Sequence, residues 1–583
     1  MKEENNLKLR DVLNYKPAPS KFGTSGVRAL VSDLTDLEVY SLTQGALWFF
    51  KTSSKLVCGE VDQKNPVIPI AGDLRSSSDR LLKATSRAIL DMGYGTDYMG
   101  KLPTPALTFY ALESGIASFI VTGSHIPADR NGQKANRCDG EVLKTDESGI
   151  VEGVKVIRNE LYDQPAEESP FDENGMLKDE SARDLPEENA AAVELYKARY
   201  RSVFPSDGLS GKRLLFFQYS AVGRDLLPEI LRSCGAEVIE AGRSDQFVPI
   251  DTEAISTAHL QMLEGLVVEN REKYGKIDAV ISTDGDSDRP LVVAVDETAG
   301  QGGQSTSVAL RFIPGDLLGL IVADYLDADA IAVPISTNPA VHEFFLDKGI
   351  TTRKTRIGSP YVIEAMQHAL NEGKNRVVSW EANGGFLLGS DIALNNAKLK
   401  ALPTRDAVLP ILCVLFSAAE RKRSLTALFS DLPQWFGKAG LIDEFPQQAS
   451  QKIVARFKPG DDRITSTEFY NNRIVLRDVQ DNKLDEWTLD DKQAEPAMAG
   501  KKLLESVFSE DLGFQGGITK INTQDGIRCF FQNDDIAHIR PSGNAPQLRI
   551  YAHARSQERA DEIVEMGLQE PDGMLRNLQG LVE

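Results

Sequence analysis

The chain has no long hydrophobic run. A membrane span needs about 20 apolar residues, and the longest stretch here, 407–419, is one buried helix long and contains Pro410. Cysteine is scarce. Cys58, Cys138, Cys234, Cys413 and Cys529 are widely spaced, odd in number and form no CxxC pair. That usage predicts a reducing compartment and no disulfide framework. The start, MKEENNLKLRD, shows no apolar h-region, so no signal peptide and a cytoplasmic protein are expected. Positive charge is in deficit: 65 Lys and Arg against 86 Asp and Glu, a formal net charge of −21. This excludes a general nucleic-acid or anionic-membrane binder, while leaving room for a local cationic pocket. Two catalytic signatures are missing as well. No GxSxG nucleophile elbow surrounds the Ser124-His125 pair. Gly95–Lys101 spells GxxxxGK, but Leu102 stands where a metal-binding Ser or Thr belongs, and Pro103 opposes the helix a P-loop requires.

What is present is ordinary globular composition: 41% hydrophobic and 26% charged residues in 583. At about 150 residues per domain, the length suggests about four domains. Short apolar runs alternate with helical patterns. Val67–Ala71, Arg213–Gln218, Ala236–Ile239, Ile277–Ser282, Leu291–Val295, Ala330–Pro334 and Arg376–Trp380 read as strands. Leu81–Met92, with Gly93 as its C-cap, Asp225–Ser233, Asp316–Leu326 and Val341–Leu346 read as helices. This alternation predicts α/β domains with largely parallel sheets. Toward the C-terminus the pattern changes to strands at Ile474–Leu476, Ile527–Phe531, Ile536–Ile539 and Leu548–Ala552. A single helix, Gln557–Met566, follows. A smaller α+β domain is expected there. Between Asn159 and Asn189, eleven acidic residues face two basic ones, with Pro165, Pro170 and Pro186 as punctuation, and the segment reads as a solvated acidic loop.

Four clusters carry chemistry. Thr283-Asp284-Gly285-Asp286-Ser287-Asp288-Arg289 follows an apolar strand. Carboxylates at i, i+2 and i+4 converge only around something positive, and hard oxygen ligands suit Mg²⁺ or Ca²⁺. An EF-hand is excluded, because Arg289 and Val295 stand where its Gly and Glu belong. Thr122-Gly123-Ser124-His125-Ile126-Pro127, after the run Ile116–Val121, brings a serine to a strand end near His125 and Lys134. A serine there is a nucleophile if a base is close. Arg540-Pro541-Ser542-Gly543-Asn544-Ala545-Pro546, with Arg549 beyond, offers cations, small residues and accessible backbone N–H groups, suitable for a phosphate dianion. Lys21–Arg28 is a Gly-rich loop with two cations.

In this order the four motifs resemble the α-D-phosphohexomutase superfamily, which includes phosphomannomutases and phosphoglucomutases. The resemblance runs from about Lys21 to the C-terminal helix. It implies three related α/β domains with largely parallel sheets and a smaller C-terminal α+β domain around a central cleft. The corresponding division is 1–205, 206–312, 313–435 and 436–583. Ser124 matches the phosphoserine of the family's TASHNP loop, Asp284, Asp286 and Asp288 its DGDADR metal loop, and Lys134 a general acid/base. Arg28 matches its TSGxR loop, and His125 stands beside the serine. Ser124, Asp284, Asp286 and Asp288 would hold Mg²⁺. Arg540, Ser542, Gly543 and Asn544 match the RPSGTEP phosphate loop, flanked by Arg549. Glu381, Asn383 and Gly384 lie at the sugar-hydroxyl loop GEESGH, and Arg289 and Ser359 join the substrate-facing set. Gly72–Ser77 and Pro103–Pro105 are supporting matches.

The resemblance implies a Mg²⁺-dependent phosphohexomutase, an intramolecular phosphotransferase of the isomerase class. Its substrate would be a hexose phosphate, with a hexose 1,6-bisphosphate as intermediate and activator. A phosphomannomutase is the leading expectation, with a glucose- or aminosugar-phosphate mutase, a hexose-1,6-bisphosphate synthase and a non-catalytic sugar-phosphate sensor as alternatives. The partner is a small phosphosugar, not nucleic acid or membrane, and the protein is expected as a monomer or homodimer. The sequence departs from the family pattern at Ile126, Asn383, Gly385, Asn544 and Ala545.

Overall fold

Apolar β-rich runs and amphipathic helices alternate through the computed structural model, which describes residues 7–17, 22, 26–59, 65–179, 184–253, 255–298, 307–542 and 546–582. They fall into two compact units: Met1–Ala328 with Gly358–Phe429, and Asp329–Ile357 with Ser430–Glu583.

The first sheet of the first unit runs, in spatial order, Val27–Leu30, Arg130–Arg137, Ser118–Val121, Val67–Gly72 and Gly95–Lys101. Val67–Gly72 is parallel to both neighbours, as two βα crossovers require. Arg130–Arg137 then returns antiparallel beside Ser118–Val121 and pairs with Val27–Leu30. The second sheet repeats the plan. Arg213–Tyr219 is parallel to Glu237–Arg243 and Ala279–Thr283, and Pro290–Thr298 and Ser307–Phe312 are added antiparallel. Val377–Trp380, Phe386–Leu388 and Leu402–Asp406 form a further antiparallel set. In each case loops at the strand ends are left free to carry side chains of their own.

The helices bury the faces that their periodicity defines. Ser78–Asp91 buries Leu81, Leu82, Thr85, Ala88 and Ile89, and Gly93 follows with φ of 81°. Val408–Glu420 is apolar nearly all round and buried along almost its whole length. Asp36–Thr52 and Lys144–Asp163 approach through glycines. A Cβ on Gly45 would lie 2.4 Å from the Val154 nitrogen, and one on Gly153 would lie 2.4 Å from the Gly45 oxygen.

In the second unit, Ala330–Pro334 is parallel to Thr351–Thr355. The C-terminal part is an antiparallel sheet of eight strands in the order Phe436–Ile442, Leu548–Ala554, Ile536–Pro541, Ile527–Phe531, Ile518–Asn522, Ser466–Phe469, Arg473–Arg477 and Lys483–Thr488. The fold class is the expected one: mixed α/β with parallel strands in the earlier sheets, and a C-terminal domain built on an antiparallel sheet.

Several expectations are corrected. Cys58 and Cys138 are joined in a disulfide, with Cα atoms 5.5 Å apart, although the wide spacing suggested none. The pairing is tertiary: Cys138 N donates to Lys55 O, and Cys58 N donates to Gly115 O. Cys234, Cys413 and Cys529 are free and buried. The acidic segment is not a bare loop. Its first part ends the helix Lys144–Asp163, and Phe171 and Leu177 pair with one another and pack with Leu9, Leu37 and Tyr40. The carboxylates lie outside a small apolar core that the charge count concealed. A second C-terminal helix, Met574–Gly580, follows Gln557–Leu568. Pro103 does not block a helix, since Thr104–Ser114 begins directly after it. The GxxxxGK stretch is itself the strand Gly95–Lys101, so no P-loop forms. Among the described residues, no helix is long and apolar enough to cross a membrane.

The glycine contact is testable. Gly45→Val pushes a side chain into backbone that cannot rotate away, and overpacking of this kind costs about 1–3 kcal/mol. A lowered Tm with soluble expression is expected. An unchanged Tm would show that the two helices can move apart.

Candidate active site

Two loops from separate sheets meet here. The turn 122–129 joins the antiparallel strands Ser118–Val121 and Arg130–Arg137, in which Ile120 is paired with Lys134. The loop 284–289 joins Ala279–Thr283 to Pro290–Thr298, closed by Pro290 opposite Thr283 and by Asp284 N donating to Arg289 O at 3.0 Å. Ser124 Oγ donates to Asp284 Oδ2 at 2.7 Å, and neither residue has measurable exposure. His125 Nδ1 lies 3.3 Å from the same hydroxyl.

The serine turn is strained and tightly held. Ser124 has φ of 55°, in the left-handed region, which costs a residue with a side chain about 1–3 kcal/mol. Arg75 over-determines the turn. Its guanidinium donates to the carbonyls of Ser124, Ile126, Pro127 and Arg130 at 2.6–2.9 Å. Asp73 holds Arg75 Nε at 3.2 Å and also accepts from Thr122 Oγ1 and Gly123 N. The carbonyl of Ile126, where the family pattern has Asn, is thus bound through backbone alone.

Asp284, Asp286 and Asp288 are buried and offer oxygens within 4.8 Å of one another. Asp286 Oδ2 accepts from Lys134 Nζ at 2.7 Å and from Thr104 Oγ1 at 2.7 Å, and its carbonyl accepts from Thr104 N. Thr104 opens a helix, whose positive end favours the carboxylate. Asp288 Oδ2 accepts from Lys134 Nζ at 3.1 Å and from Arg405 Nη2 at 2.9 Å. Asp286 Oδ1 and Asp288 Oδ1 are buried without a hydrogen-bond partner. Buried carboxylate oxygens left in this way, beside a third carboxylate, form a hard-oxygen set that fits Mg²⁺.

Charge within this cluster is uneven. Burial, reinforced by Asp286 and Asp288, pushes the Asp284 carboxyl well above the usual range. Burial acts in the same direction on Asp286, but Lys134 and Thr104 outweigh it and hold that carboxyl below its ordinary value. Asp288 is held low against burial, chiefly by Arg405. Burial, then the Arg289 and Arg28 charges, drive the His125 imidazole far below its usual value, so the ring facing Ser124 is neutral. Burial and Arg289 push Arg28 down to about 10, and its Nε is buried without a partner.

The structure brings Ser124, His125, Lys134, Arg28, Asp284, Asp286, Asp288 and Arg289 together. Arg289 Nε sits 3.6 Å from Asp288 Oδ1. Glu381 joins them through Arg405 Nη1 at 3.3 Å. Asn383 Oδ1 accepts from Gly385 N at 2.9 Å, so the amide shapes its own turn, and Gly384 sits in that turn with φ of 84°. The Gly385 departure also has a cause: a Cβ there would lie 2.4 Å from Arg405 Cδ. Ser359 is fully buried, with its hydroxyl donating to Glu141 Oε2 at 2.7 Å.

In the second unit Arg540 and Arg549 stand directly opposite on adjacent antiparallel strands. Like charges opposed in this way are unfavourable unless an anion lies between them. Asp525 Oδ1 accepts from Arg540 Nε at 3.1 Å, whereas Arg549 Nε is buried without a partner. Ser542 is buried, and its N–H donates to Gln547 O at 2.9 Å. Gly543 and Asn544 lie outside the described residues, as do Lys21 and Gly23–Ser25 of the first Gly-rich loop.

Arg405 belongs to none of the sequence motifs. Its one signal is position: it ends the strand Leu402–Asp406, just before the buried helix Val408–Glu420. Its neighbour Asp406 is held by the hydroxyls of Tyr196 and Tyr200, which aligns that strand end. Thr104 lies within the Pro103–Pro105 match, and Glu141 belongs to no motif.

Residues 19–160 match "Phosphoglucomutase/phosphomannomutase, alpha/beta/alpha domain I", residues 314–436 match domain III, and residues 488–569 match the C-terminal domain. A phosphomannomutase of Sinorhizobium fredii is 35% identical, covering 94% of this chain and 98% of that protein. One from Salmonella muenchen is 34% identical, covering 95% and 96%. Among solved structures, a phosphoglucomutase/phosphomannomutase family protein from Burkholderia thailandensis superposes with TM-score 0.59 at 16% identity, covering 97% of this chain and 98% of that one. An Aspergillus fumigatus N-acetylphosphoglucosamine mutase, in complex with GlcNAc-6P and magnesium, superposes with TM-score 0.52 at 14% identity, covering 98% of each.

Metal binding can be read without turnover. Mg²⁺ held only by the folded protein raises Tm, by about 2.7 kcal/mol of stability at a hundredfold excess over Kd. Asp286→Asn with Asp288→Asn is expected to remove that rise. Burial and the neighbouring carboxylates favour the protonated form of Asp284, so Mg²⁺ competes with a proton there and the Mg²⁺-induced rise should strengthen as the pH increases. A rise that persists in the double variant would place the ion elsewhere.

Proposed function

The chain belongs to the phosphoglucomutase/phosphomannomutase family, within the α-D-phosphohexomutase superfamily, and we propose that it interconverts mannose 1-phosphate and mannose 6-phosphate through a phosphoserine at Ser124. It is a phosphomutase of the phosphomannomutase type. The observation that carries the residue-level reading is the Ser124 hydroxyl on Asp284, a contact across 160 residues that joins the candidate nucleophile to the carboxylate trio.

In the forward half-reaction the bond from phosphorus to Ser124 Oγ breaks, and a bond from phosphorus to a sugar hydroxyl oxygen forms. The product of that step is a hexose 1,6-bisphosphate. Its other phosphoryl group then returns to Ser124, which restores the resting enzyme. Mg²⁺, when held by Asp284, Asp286, Asp288 and a phosphoserine oxygen, supplies neutralising charge to the transferring group. The chain's own residues supply position and proton handling. Asp284 aligns the free Ser124 hydroxyl and accepts its proton in a hydrogen bond. Lys134 donates to Asp286 and Asp288; once one of its protons is released to solvent, the neutral amine receives the proton of the attacking sugar hydroxyl and later returns it. The neutral His125 ring offers Nδ1 to the same space, and Arg28 and Arg289 add positive charge where the phosphoryl oxygens pass.

Glu381 is the sugar-hydroxyl acceptor in this reading. Arg405 holds one of its oxygens, and the Asn383–Gly385 turn fixes its backbone. Arg540, Ser542, Gly543, Asn544 and Arg549 bind the phosphate that is not transferred. The mutual opposition of Arg540 and Arg549 supports an anion there. Ser359 acts indirectly, through Glu141. The segments 1–205, 206–312, 313–435 and 436–583 are proposed as the four domains.

Purified protein with Mg²⁺ and a bisphosphate activator should interconvert the mannose phosphates. Ser124→Ala should lower kcat by about 10³-fold or more, as loss of a covalent nucleophile does, and should remove a phosphate from the intact mass. Wild-type turnover in that variant would sink the nucleophile assignment. A higher kcat/KM for glucose or glucosamine phosphates than for mannose phosphates would move the sugar assignment.

A further inference from the structure

The segment 244–252 carries no motif, yet it reaches three parts of the site. It is rooted away from the chemistry: Arg224 Nη1 donates to Ser244 O at 2.7 Å, Val248 N donates to Ser220 Oγ at 2.8 Å, and Ile250 is buried. From this base Phe247 lays its ring over the Arg75 guanidinium, with Arg75 Cζ 3.8 Å from the ring centroid. The same ring closes on the metal loop. A Cβ built on Gly285 would lie 3.0 Å from Phe247 Cε2 and Cζ, and 2.6 Å from the Ser124 carbonyl oxygen. At the far end of the segment, Thr252 Oγ1 donates to Asn383 O at 2.9 Å.

From this geometry we propose that Phe247 is a positioning residue for phosphoryl transfer, setting the Ser124 turn against the metal loop by stacking on Arg75 and packing on Gly285. The argument is steric and electrostatic. All the in-plane N–H groups of Arg75 that reach the turn are used on four carbonyls and Asp73, so its flat face is where it can be pinned. An aromatic ring on that face attracts the cation and excludes water without competing for those donors. Gly285 has no side chain, so Phe247 and the Ser124 carbonyl can both close on the space a Cβ would fill. The ring therefore fixes two distances at once: Arg75 to the strained Ser124 turn, and that turn to the backbone between Asp284 and Asp286. Without the ring, Arg75 gains freedom to tilt, the left-handed backbone at Ser124 loses its support, and the Ser124–Asp284 alignment loosens. Misplacement of reacting groups by about 1 Å costs about 10²-fold in rate. The contacts of Phe247 are with the serine scaffold and the metal loop, so the loss falls on the transfer step rather than on substrate binding.

This inference rests on the proposed mutase reading, and its test separates the two. Phe247→Ala is compared with Phe247→Tyr in the full-length protein. Expected for Phe247→Ala are a kcat at least tenfold lower, a KM for the hexose phosphate within about threefold of wild type, and a Tm within a few degrees. Phe247→Tyr, which keeps the ring, should recover most of kcat. A second readout needs no turnover: the Mg²⁺ concentration at half of the thermal shift should rise at least threefold in Phe247→Ala. A wild-type-like kcat and Mg²⁺ midpoint in Phe247→Ala would overturn the proposal while the mutase reading stands. So would a kcat loss that appears only with a large drop in Tm and that Tyr does not recover. If wild type itself turns over no hexose phosphate, the mutase reading fails, and the Mg²⁺ midpoint still decides whether Phe247 positions the metal loop.

Discussion

Three aspartates crowded into one loop with almost no solvent are the constraint around which the rest of the first unit is arranged. Like charges in a low-dielectric interior repel strongly, and an unpaired buried carboxylate is costly. The fold meets this by bringing cations from elements far apart in the chain: Lys134 from the first sheet and Arg405 from the end of Leu402–Asp406, with Arg289 beside the loop itself. A helix beginning at Thr104 adds its positive end. Even so, oxygens of Asp286 and Asp288 remain without hydrogen bonds. A site in that state suits a divalent cation.

A second constraint is geometric. The candidate nucleophile, Ser124, has left-handed backbone, and such strain persists only where neighbouring contacts leave no alternative. Here one arginine supplies them, itself gripped by Asp73 and covered by an aromatic ring. The serine turn and the metal loop come from different sheets, so their relative placement depends on contacts at the loop tips and not on any hydrogen-bonded ladder. The Ser124–Asp284 hydrogen bond, the close approach of Gly285 to the Ser124 carbonyl and the Thr104–Asp286 contacts are the joints between them.

Much of this was legible in the residue order. Strand ends followed by Ser124 or by Asp284, Asp286 and Asp288 marked the two loops that meet in the structure, because carboxylates at alternate positions converge around positive charge. The βα alternation marked the early sheets, and Gly93 marked the end of its helix. Less visible were residues whose role depends on a partner far away. Arg405 looks like any arginine ahead of an apolar helix, and nothing local shows that it reaches both Asp288 and Glu381. Gly385 reads as a lost side chain until the stem of Arg405 is seen in its place. The acidic stretch hid Phe171 and Leu177, since a charge count averages over the two residues that pack.

By itself, the sequence determined the fold class, the phosphomutase family and the identity of the candidate nucleophile and metal ligands, because these are encoded in local motifs and in the period of hydrophobicity. Only the tertiary structure decided which cations neutralise which carboxylates, that Cys58 meets Cys138, and that the segment 244–252 reaches Arg75, the aspartate loop at Gly285 and Asn383. The physical reason is range. Periodicity and turn chemistry act over a few residues, whereas electrostatic pairing and close packing act over a few ångströms between residues that are often more than a hundred positions apart.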